Sequence, residues 1–564
     1  MRIWFQKVME MMNLMKMDNK LRGGYYTPPE IAKFLVSWSL NGSEKCRTML
    51  EPSMGDGAFI LPIVRELTRR GFSKSVISKS VYGIELLNQE VRKVKTSLKE
   101  EGYNPESFNL INDDFFSVID SSLRDKQFDI ILGNPPFIRY QNFPEAQRKM
   151  AIDILSKNGF HPNKLTNAWL LFLLVSILHL NEEGKLAMVI PAELLQVGYA
   201  AETRVFLSNF FHSITIITFK KLAFQGIQQE VVLLLCDKSK KSPNGINLVE
   251  LYDSNQLPSL SEIKSPSKFK PIDHDTDKWT QYFLDRDEIL LLRKLKRNEK
   301  ISRLGKLLEV DVGVVTGNND FFVVNKETVE NYQLQQHVIP LVGRSAQLNG
   351  GFNFTEKKWN ELRDGNNQCF LFSFDDPIEK TLPVGVEKYL KIGKKNAVPE
   401  GYKCRVRKMW QSVPSVWIPD AFLFRQIHLY PRMVLNESNA VSTDTIHRVR
   451  FKNNINKEKL MVSFHNSLTF AFCEVLGRSY GGGVLELEPS EAEDLPIPYL
   501  SSKSTRLKKM EEIVKKGGIE AWLDYADNKL LHEGLKLSKN ELVMLRQIWN
   551  KLSQRRIKRK ESKK

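Results

Sequence analysis

The sequence predicts an α/β fold over its first 240 or so residues, with a largely parallel sheet covered by helices, followed by a second and less regular domain. Three observations carry that prediction. Short apolar runs rich in β-branched residues alternate with helical patterns from residue 20 to about 240, the signature of successive βαβ units. A stretch rich in Pro, Ser, Lys and Asp, 257–277, then breaks the pattern with no periodicity and reads as a linker. From about 300 to 500 short strand-like segments, many turns and interleaved basic and aromatic residues follow, and 501–564 returns to helical periodicity.

Taken in order, the predicted strands are TMLEPS (48–53), SVYGIEL (80–86), FNLINDD (108–114), FDIILGN (128–134), LAMVIPA (186–192) and EVVLLL (230–235). Helical patterns such as IAKFLVSWSL (31–40) and NQEVRKVKTSLKE (88–100) lie between them. The most apolar segment, AWLLFLLVSILHL (168–180), is shorter than a membrane span and carries His179, so it reads as a buried helix. No internal repeat is visible.

Composition narrows the class. Of 564 residues, 42% are hydrophobic and 10% aromatic, ordinary for a globular protein with several cores. The first twenty residues lack the order of a secretory signal, and five scattered cysteines show no CxxC spacing. The expectation is a cytoplasmic protein with no metal site and no membrane contact. A formal charge of +17 favours a polyanionic partner, because lysines and arginines that neutralise phosphates release counterions. The last fourteen residues supply eight basic groups against one acidic, and read equally as a frayed, solvated helix end.

Four strand ends carry unusual residues. Glu51-Pro52-Ser53-Met54-Gly55-Asp56-Gly57 turns from a strand into a helix, where glycines let the backbone approach a ligand, or simply turn. Glu85 ends the next strand, where a carboxylate can accept both hydroxyls of a ribose; alone, a surface glutamate is the plainer reading. Asp113, Asp114, Phe115 and Phe116 follow the third, offering an acceptor for an adenine amino group beside a ring, or a capped turn and core phenylalanines. The fourth reads FDIILGNPPFIRY (128–140), an apolar strand closed by Asn134, Pro135, Pro136 and Phe137. One proline would end a strand, so a double proline behind an amide side chain marks a corner built for rigidity. Together the four ends are ordered as in a nucleoside-binding sheet.

These residues, with GGYYTPPE (23–30) ahead of them, resemble the gamma-subclass S-adenosylmethionine-dependent DNA adenine-N6 methyltransferases of restriction–modification type. The resemblance continues through 167–195 and 220–235, and more loosely through stretches of 308–498. It implies a Rossmann-like methyltransferase domain with a mixed, mostly parallel seven-stranded sheet, and a C-terminal α+β DNA-recognition domain. The implied division is an extension 1–22, a catalytic domain 23–245, a linker 246–280, a recognition domain 281–500 and a basic helical tail 501–564.

Residue roles follow from the same resemblance. Tyr26, Thr27, Glu51, Gly55 and Gly57 surround the methionine and ribose parts of S-adenosyl-L-methionine. Glu85 takes the ribose hydroxyls, Asp114 the adenine amino group, and Phe115 lies against the adenine ring. Asn134, Pro135, Pro136 and Phe137 form the catalytic corner, with Phe137 and Phe224 stacking on the target base. Met54 and Phe137 depart from the family's commoner small residue and tyrosine. Chemically, the conjugated amine of adenine is a poor nucleophile. Two acceptors around its hydrogens, the Asn134 side chain and the Pro135 carbonyl, would free the lone pair, and prolines hold them in place. The base must first leave the duplex, at a cost of a few kcal/mol that aromatic stacking offsets.

In the second half Arg344, Arg405, Arg407, Trp410, Arg478 and Tyr480 are candidate DNA contacts, and each arginine is equally a solvated surface charge. Double-stranded DNA is the expected partner of a monomer, with a cognate restriction endonuclease or defence-system subunit beside it. Alternative readings are methylation of RNA or of a protein glutamine, transfer to cytosine N4, and a catalytically dead specificity subunit.

Overall fold

A computed structural model describes residues 26–221, 229–274, 277–375, 382–480, 482–500 and 506–561. They divide into two compact units, with the boundary between Phe283 and Leu284.

The first unit is built on one sheet. Its strands are β1 (Met49–Glu51), β2 (Val81–Ile84), β3 (Asn109–Ile111), β4 (Phe128–Gly133), β5 (Leu180–Pro191), β6 (Ser213–Phe219), β7 (Val231–Asp237) and β8 (Gly245–Leu251). Among the described residues their order is β3-β2-β1-β4-β5-β7-β6-β8. The first five run parallel, β7 lies antiparallel between β5 and β6, and β8 runs parallel to β6. This is the mixed, mostly parallel sheet that the sequence predicts, with one strand more than the expected seven.

The extra strand, apart from its first residue Gly245, falls inside 246–280, the segment expected to be linker. Its burial fades from full at Gly245, Ile246 and Asn247 to partial over the last four residues. An edge strand covered over only part of its length has no strong apolar run, so its local pattern passes for a loop. Gly245 permits the close approach of Lys270 to this strand: at φ +125° a Cβ there would come within 2.4 Å of the Lys270 carbonyl oxygen.

Helices α1 (Pro29–Leu40), α2 (Ile60–Arg69), α3 (Lys74–Ser80), α4 (Asn88–Glu100), α5 (Phe115–Asp120), α6 (Glu145–Lys157), α7 (Ala168–Leu178) and α8 (Ala201–Phe210) cover the sheet. Proline at the first position of α1 suits a helix start, where its missing N–H would have no partner. Ile31, Leu35 and Trp38 of α1 join Ile63, Leu67 and the strand residues Met49, Ile130 and Val189 in one core cluster. Every residue of α7 from Ala168 to Ile177 is buried, as the sequence predicts, and the helix ends at His179, whose Nδ1 lies 3.0 Å from the Lys126 carbonyl. Among the described residues no helix is long and apolar enough to cross a membrane.

The second unit is α+β. A five-stranded sheet orders Leu308–Asp311, Ile446–Phe451, Ala421–Phe424, Met433–Glu437 and Asn353–Thr355, and a four-stranded one contains Val323–Val324, Phe370–Phe372, Val338–Val342 and Val441–Ser442. The C-terminal helices, expected as a tail, are part of this unit. Lys539–Glu561 packs on Ser467–Leu476. Arg556, 1% exposed, donates to both carboxylate oxygens of Glu474 at 3.1 and 2.7 Å and to the carbonyls of Ile427, His428 and Gly483. A basic run thus holds one residue that is a core ion-pair partner, which charge counting does not reveal.

Because both charges of that pair are fully buried, Arg556→Met should destabilise the second unit by about 3–5 kcal/mol through the stranded carboxylate, and Glu474→Leu combined with it should recover most of the loss. Chemical denaturation of the two variants checks this.

Candidate active site

The carboxyl ends of β1, β2, β3 and β4 open on one side of the sheet, where ligands of such folds bind. The loop after β1 is shaped by Gly55 and Gly57, at φ +51° and +85°. A Cβ on Gly57 would meet the Val94 side chain of α4 at 3.1 Å, so helix and loop pack closer than a larger residue allows. Met54 is buried in the same turn, its backbone N–H donating to the Ile84 carbonyl. Its sulfur occupies the space that a side chain at Gly83 would need, with 2.5 Å to a Cβ built there. Met54 therefore packs against β2.

Glu85 follows β2 and is held by backbone donors. One carboxylate oxygen accepts from Gly55 N–H at 3.0 Å, the other from Leu87 N–H at 2.9 Å. Asn112, after β3, donates to the carbonyls of Glu85 and Leu86, which joins the second and third strand ends. Asp114 caps α5 by accepting from Ser117 N–H at 3.0 Å. Phe115 stacks on Phe172 of α7, with ring centroids 5.0 Å apart.

Asn134 closes β4 and is fixed from two directions. The Ser53 hydroxyl donates to its backbone carbonyl at 3.2 Å, and its side-chain amide donates to the Thr27 hydroxyl at 3.3 Å. Thr27 is buried and directly precedes the two prolines that start α1. The segment ahead of the sheet and the loops after β1 and β4 thus meet at one amide.

A cavity of about 350 Å³ is lined by Tyr26, Ser53, Gly55, Glu85, Asp114, Phe115, Asn134 and Pro136. That volume lies at the lower end of the range for small-molecule sites. Thr27, Glu51, Gly57, Pro135 and Phe137 support it from outside the lining: Pro135 is buried, and Phe137 is half-buried against the core of the sheet. Phe224 lies outside the described residues.

The cavity is acidic. Burial first, then the charges of Asp56 and Glu85, pushes the carboxyl of Glu51 well above the usual carboxylate range. Burial likewise raises Asp56, aided by Glu90, and raises Glu85 and Asp114 against the opposing pull of their backbone donors. One oxygen each of Glu51 and Asp56 is buried with no hydrogen-bond partner among the described residues. At the rim, Lys93 pairs with Glu90 at 2.7 Å and Tyr26 Oη lies 3.4 Å from both Glu90 oxygens. Four carboxyls in the lining, those of Glu85, Glu90, Asp113 and Asp114, fit a cationic ligand, and the sulfonium and ammonium of S-adenosyl-L-methionine are cationic.

Asp56, Glu90 and Phe172 were not singled out in the sequence. Asp56 stands inside a glycine turn where the glycines draw notice. Glu90 begins an ordinary polar helix. Phe172 is one of several large apolar residues in α7, and nothing in its spacing marks it as facing a cavity.

In the second unit Arg344 and Arg405 are exposed. Arg407 is half-buried and donates to the carbonyls of Val315 and Thr316 at 2.9 and 2.7 Å, and Trp410 packs beside Phe321. Arg478 pairs with Glu491 at 2.8 Å, and Tyr480 pairs through its backbone with Val484. Lys403, Arg407 and Lys408 line a cleft of about 460 Å³ with Val315, Val406 and Pro414.

Comparison with known proteins agrees with this architecture. The N-6 DNA methylase family matches residues 7–316, more than half of the chain, and the C-terminal domain of Type II methyltransferase M.Eco57I matches residues 276–531. The chain belongs to the N-6 DNA methylase family. It is accordingly a DNA methyltransferase, with S-adenosyl-L-methionine as its cofactor. It is 23% identical over 496 residues to Type II methyltransferase M.AccI of Acinetobacter calcoaceticus, covering 83% of each chain. It is 26% identical over 319 residues to Type II methyltransferase M.HindII of Haemophilus influenzae, covering 54% of this chain and 55% of that one. Among solved structures, the Type IIL restriction–modification enzyme MmeI in complex with DNA shares the fold, at a TM-score of 0.52 and 14% identity over 90% of this chain and 70% of that one.

The acidic cavity sets a pH dependence. A carboxyl held above its unfolded range is protonated in the folded state at low pH, and the ligand-free protein loses stability as pH rises through that raised value. Glu51→Gln removes this loss, so its gain in Tm over the parent should be larger at about pH 8 than at about pH 5, while its affinity for the cationic cofactor falls by about tenfold or more. Thermal shifts across pH and equilibrium binding of S-adenosyl-L-methionine read the two effects separately.

Proposed function

We propose that the protein transfers a methyl group from S-adenosyl-L-methionine to N6 of an adenine flipped out of double-stranded DNA, at a specific sequence. We place it in the Type II restriction–modification class, as the names of its relatives suggest. The observation that carries the reading is Asn134, pinned through its carbonyl by Ser53 and through its amide by Thr27, at the edge of the acidic cavity.

The bound cofactor supplies an electrophilic methyl on a cationic sulfur. The chain's part is to bind, orient and accept. Glu51 and Asp56 offer negative charge toward the methionine and ribose end. Glu85 is the acceptor for ribose hydroxyls, which would replace or share its present donors at Gly55 and Leu87. Asp114 is suited to an exocyclic amine, with Phe115 and its partner Phe172 forming the apolar wall against a purine. At the corner, the Asn134 side-chain oxygen and the Pro135 carbonyl accept the two hydrogens of the target amine, which localises the nitrogen lone pair. A neutral amide suits this role better than a carboxylate, which would compete for the sulfonium or for a proton. Phe137 and Phe224 take the two faces of the base, as the resemblance implies.

Intact Asn134, Glu85 and Asp114 speak against a catalytically dead specificity subunit. The decisive experiment is methylation-sensitive sequencing of DNA from a host carrying the gene, beside the same host with Asn134→Ala. One modified adenine motif, lost in the variant, is the expected result. Methylation of RNA or a release factor in place of DNA would overturn the reading.

Two arginines should separate by mechanism. Arg405→Ala, at an exposed position, should weaken DNA binding and lower the slope of log affinity against log salt by about 1. Arg407→Ala should lower the stability of the second unit, because it removes the donors to the Val315 and Thr316 carbonyls. Salt titration of DNA binding and thermal denaturation distinguish the two.

A further inference from the structure

Beyond the catalytic corner the chain makes a second set of polar contacts that the chemistry above does not use. The Ile138 carbonyl accepts from Ala168 N–H at 2.9 Å, and Tyr140 N–H donates to the side-chain oxygen of Asn167 at 3.1 Å. The other end of that amide donates to Tyr199 Oη at 3.0 Å and lies 3.5 Å from Glu193. The Tyr199 hydroxyl donates to the same Glu193 oxygen, and Gln229, just ahead of β7, donates to the other at 3.2 Å. Glu193 sits in the turn that follows β5, and this turn is itself anchored. The guanidinium of Arg204, 1% exposed, donates to the Leu194 and Val197 carbonyls at 3.1 and 2.9 Å. Ala192 N–H donates to the Glu230 carbonyl at 2.9 Å, which ties the turn to the head of β7.

We propose that Asn167, Tyr199 and Glu193 are positioning residues for methyl transfer, a relay that holds the exit of the Asn134–Tyr140 corner in register with the turn after β5 and the head of β7. The inference rests on the reading of Asn134 as the catalytic acceptor. Its physical basis is the form of the corner. Two prolines fix φ at residues 135 and 136; beyond them Ile138 is tied to the head of α7, and Tyr140 is tied through Asn167 to the turn Ala192–Leu195. Asn167 serves both sides: its oxygen takes a backbone N–H of the corner, and its nitrogen is held by two acceptors on the far element. An amide with both ends committed has one orientation, so displacement at Tyr199 or Glu193 is passed to Tyr140. Burial raises the Tyr199 hydroxyl, which keeps it a donor toward Glu193. None of the three lines the cavity, so cofactor binding does not depend on them directly.

The test uses the full chain, with unmodified genomic DNA from a host lacking the gene as the methyl acceptor and tritiated S-adenosyl-L-methionine as the donor. Tyr199→Phe and Asn167→Ala are each expected to lower the single-turnover transfer rate by about tenfold to a hundredfold, the scale of a small misplacement of reacting groups. Cofactor Kd and DNA Kd should change far less than the rate, by about twofold to threefold, because the loss falls on alignment of the Asn134 corner and not on the bulk of either ligand's contacts. Amide hydrogen exchange over 134–142 should quicken in Asn167→Ala and not in the strands of the sheet. Glu193→Gln keeps an acceptor in place and should retain most of the rate that Glu193→Ala loses. A parental transfer rate in both Tyr199→Phe and Asn167→Ala would overturn the inference, as would equal losses in rate, cofactor binding and Tm, the mark of general unfolding. Should Asn134→Ala itself transfer methyl groups at the parental rate, the reading of the active site fails instead, and the two failures are distinct.

Discussion

Parallel pairing of β1 with β4 is the constraint on which the site depends. Met49 pairs with Ile130 and Leu50 with Ile131, so the two strands leave the sheet at the same edge. Ser53 and Asn134, 81 positions apart in the chain, then lie within one hydrogen bond. An antiparallel arrangement would send the two loops to opposite edges, and no local feature of either loop could bring them together. The hydroxyl of Thr27 completes the clamp from a segment that precedes the sheet altogether. Rigidity at Asn134 therefore comes from three places: proline stereochemistry behind it, β1 beside it, and the start of α1 above it.

Charge is the second theme, and it opposes stability. The carboxyls of Glu51, Asp56, Glu85 and Asp114 are all raised by burial, and several lie close enough to repel one another. A core built for stability alone would hold apolar residues or cations at these positions. Binding sites commonly carry such strain, because the ligand relieves it. In the proposed reading the relieving charge is that of a sulfonium and an ammonium, so carboxyls that weaken the fold would favour a cationic cofactor.

The second unit uses its basic residues in two ways. Arg407, Arg478 and Arg556 are committed to carbonyls or carboxylates of their own unit. Arg344 and Arg405 are exposed. A net charge is thus a poor count of charges available to a polyanion: an arginine with five donors is also the residue best suited to gather loop carbonyls that nothing else satisfies.

Much of the fold and the centre of the site were legible in the sequence because they rest on short-range rules. β-branched runs ending in Glu51, Glu85, Asp114 and Asn134 mark strand ends, and alternation with helical patterns implies that those ends face one way. The double proline marks a stiff corner through its fixed φ alone. What the sequence left open depended on distant partners. Most of β8 lies in the segment read as linker because its order comes from pairing with β6, and the last fourteen residues read as a solvated helix end because the carboxylate that pairs with Arg556 is 82 positions away. Glu90 of α4 and Phe172 of α7 reach the cavity only through the packing of their helices on the sheet, and Asn167, Tyr199 and Glu193 meet only where the start of α7 packs beside the turn after β5. Residue type and spacing decide which chemistry a chain can carry, but which side chains share a charge or a proton is a matter of through-space distance, and that is set only when the whole sheet has formed.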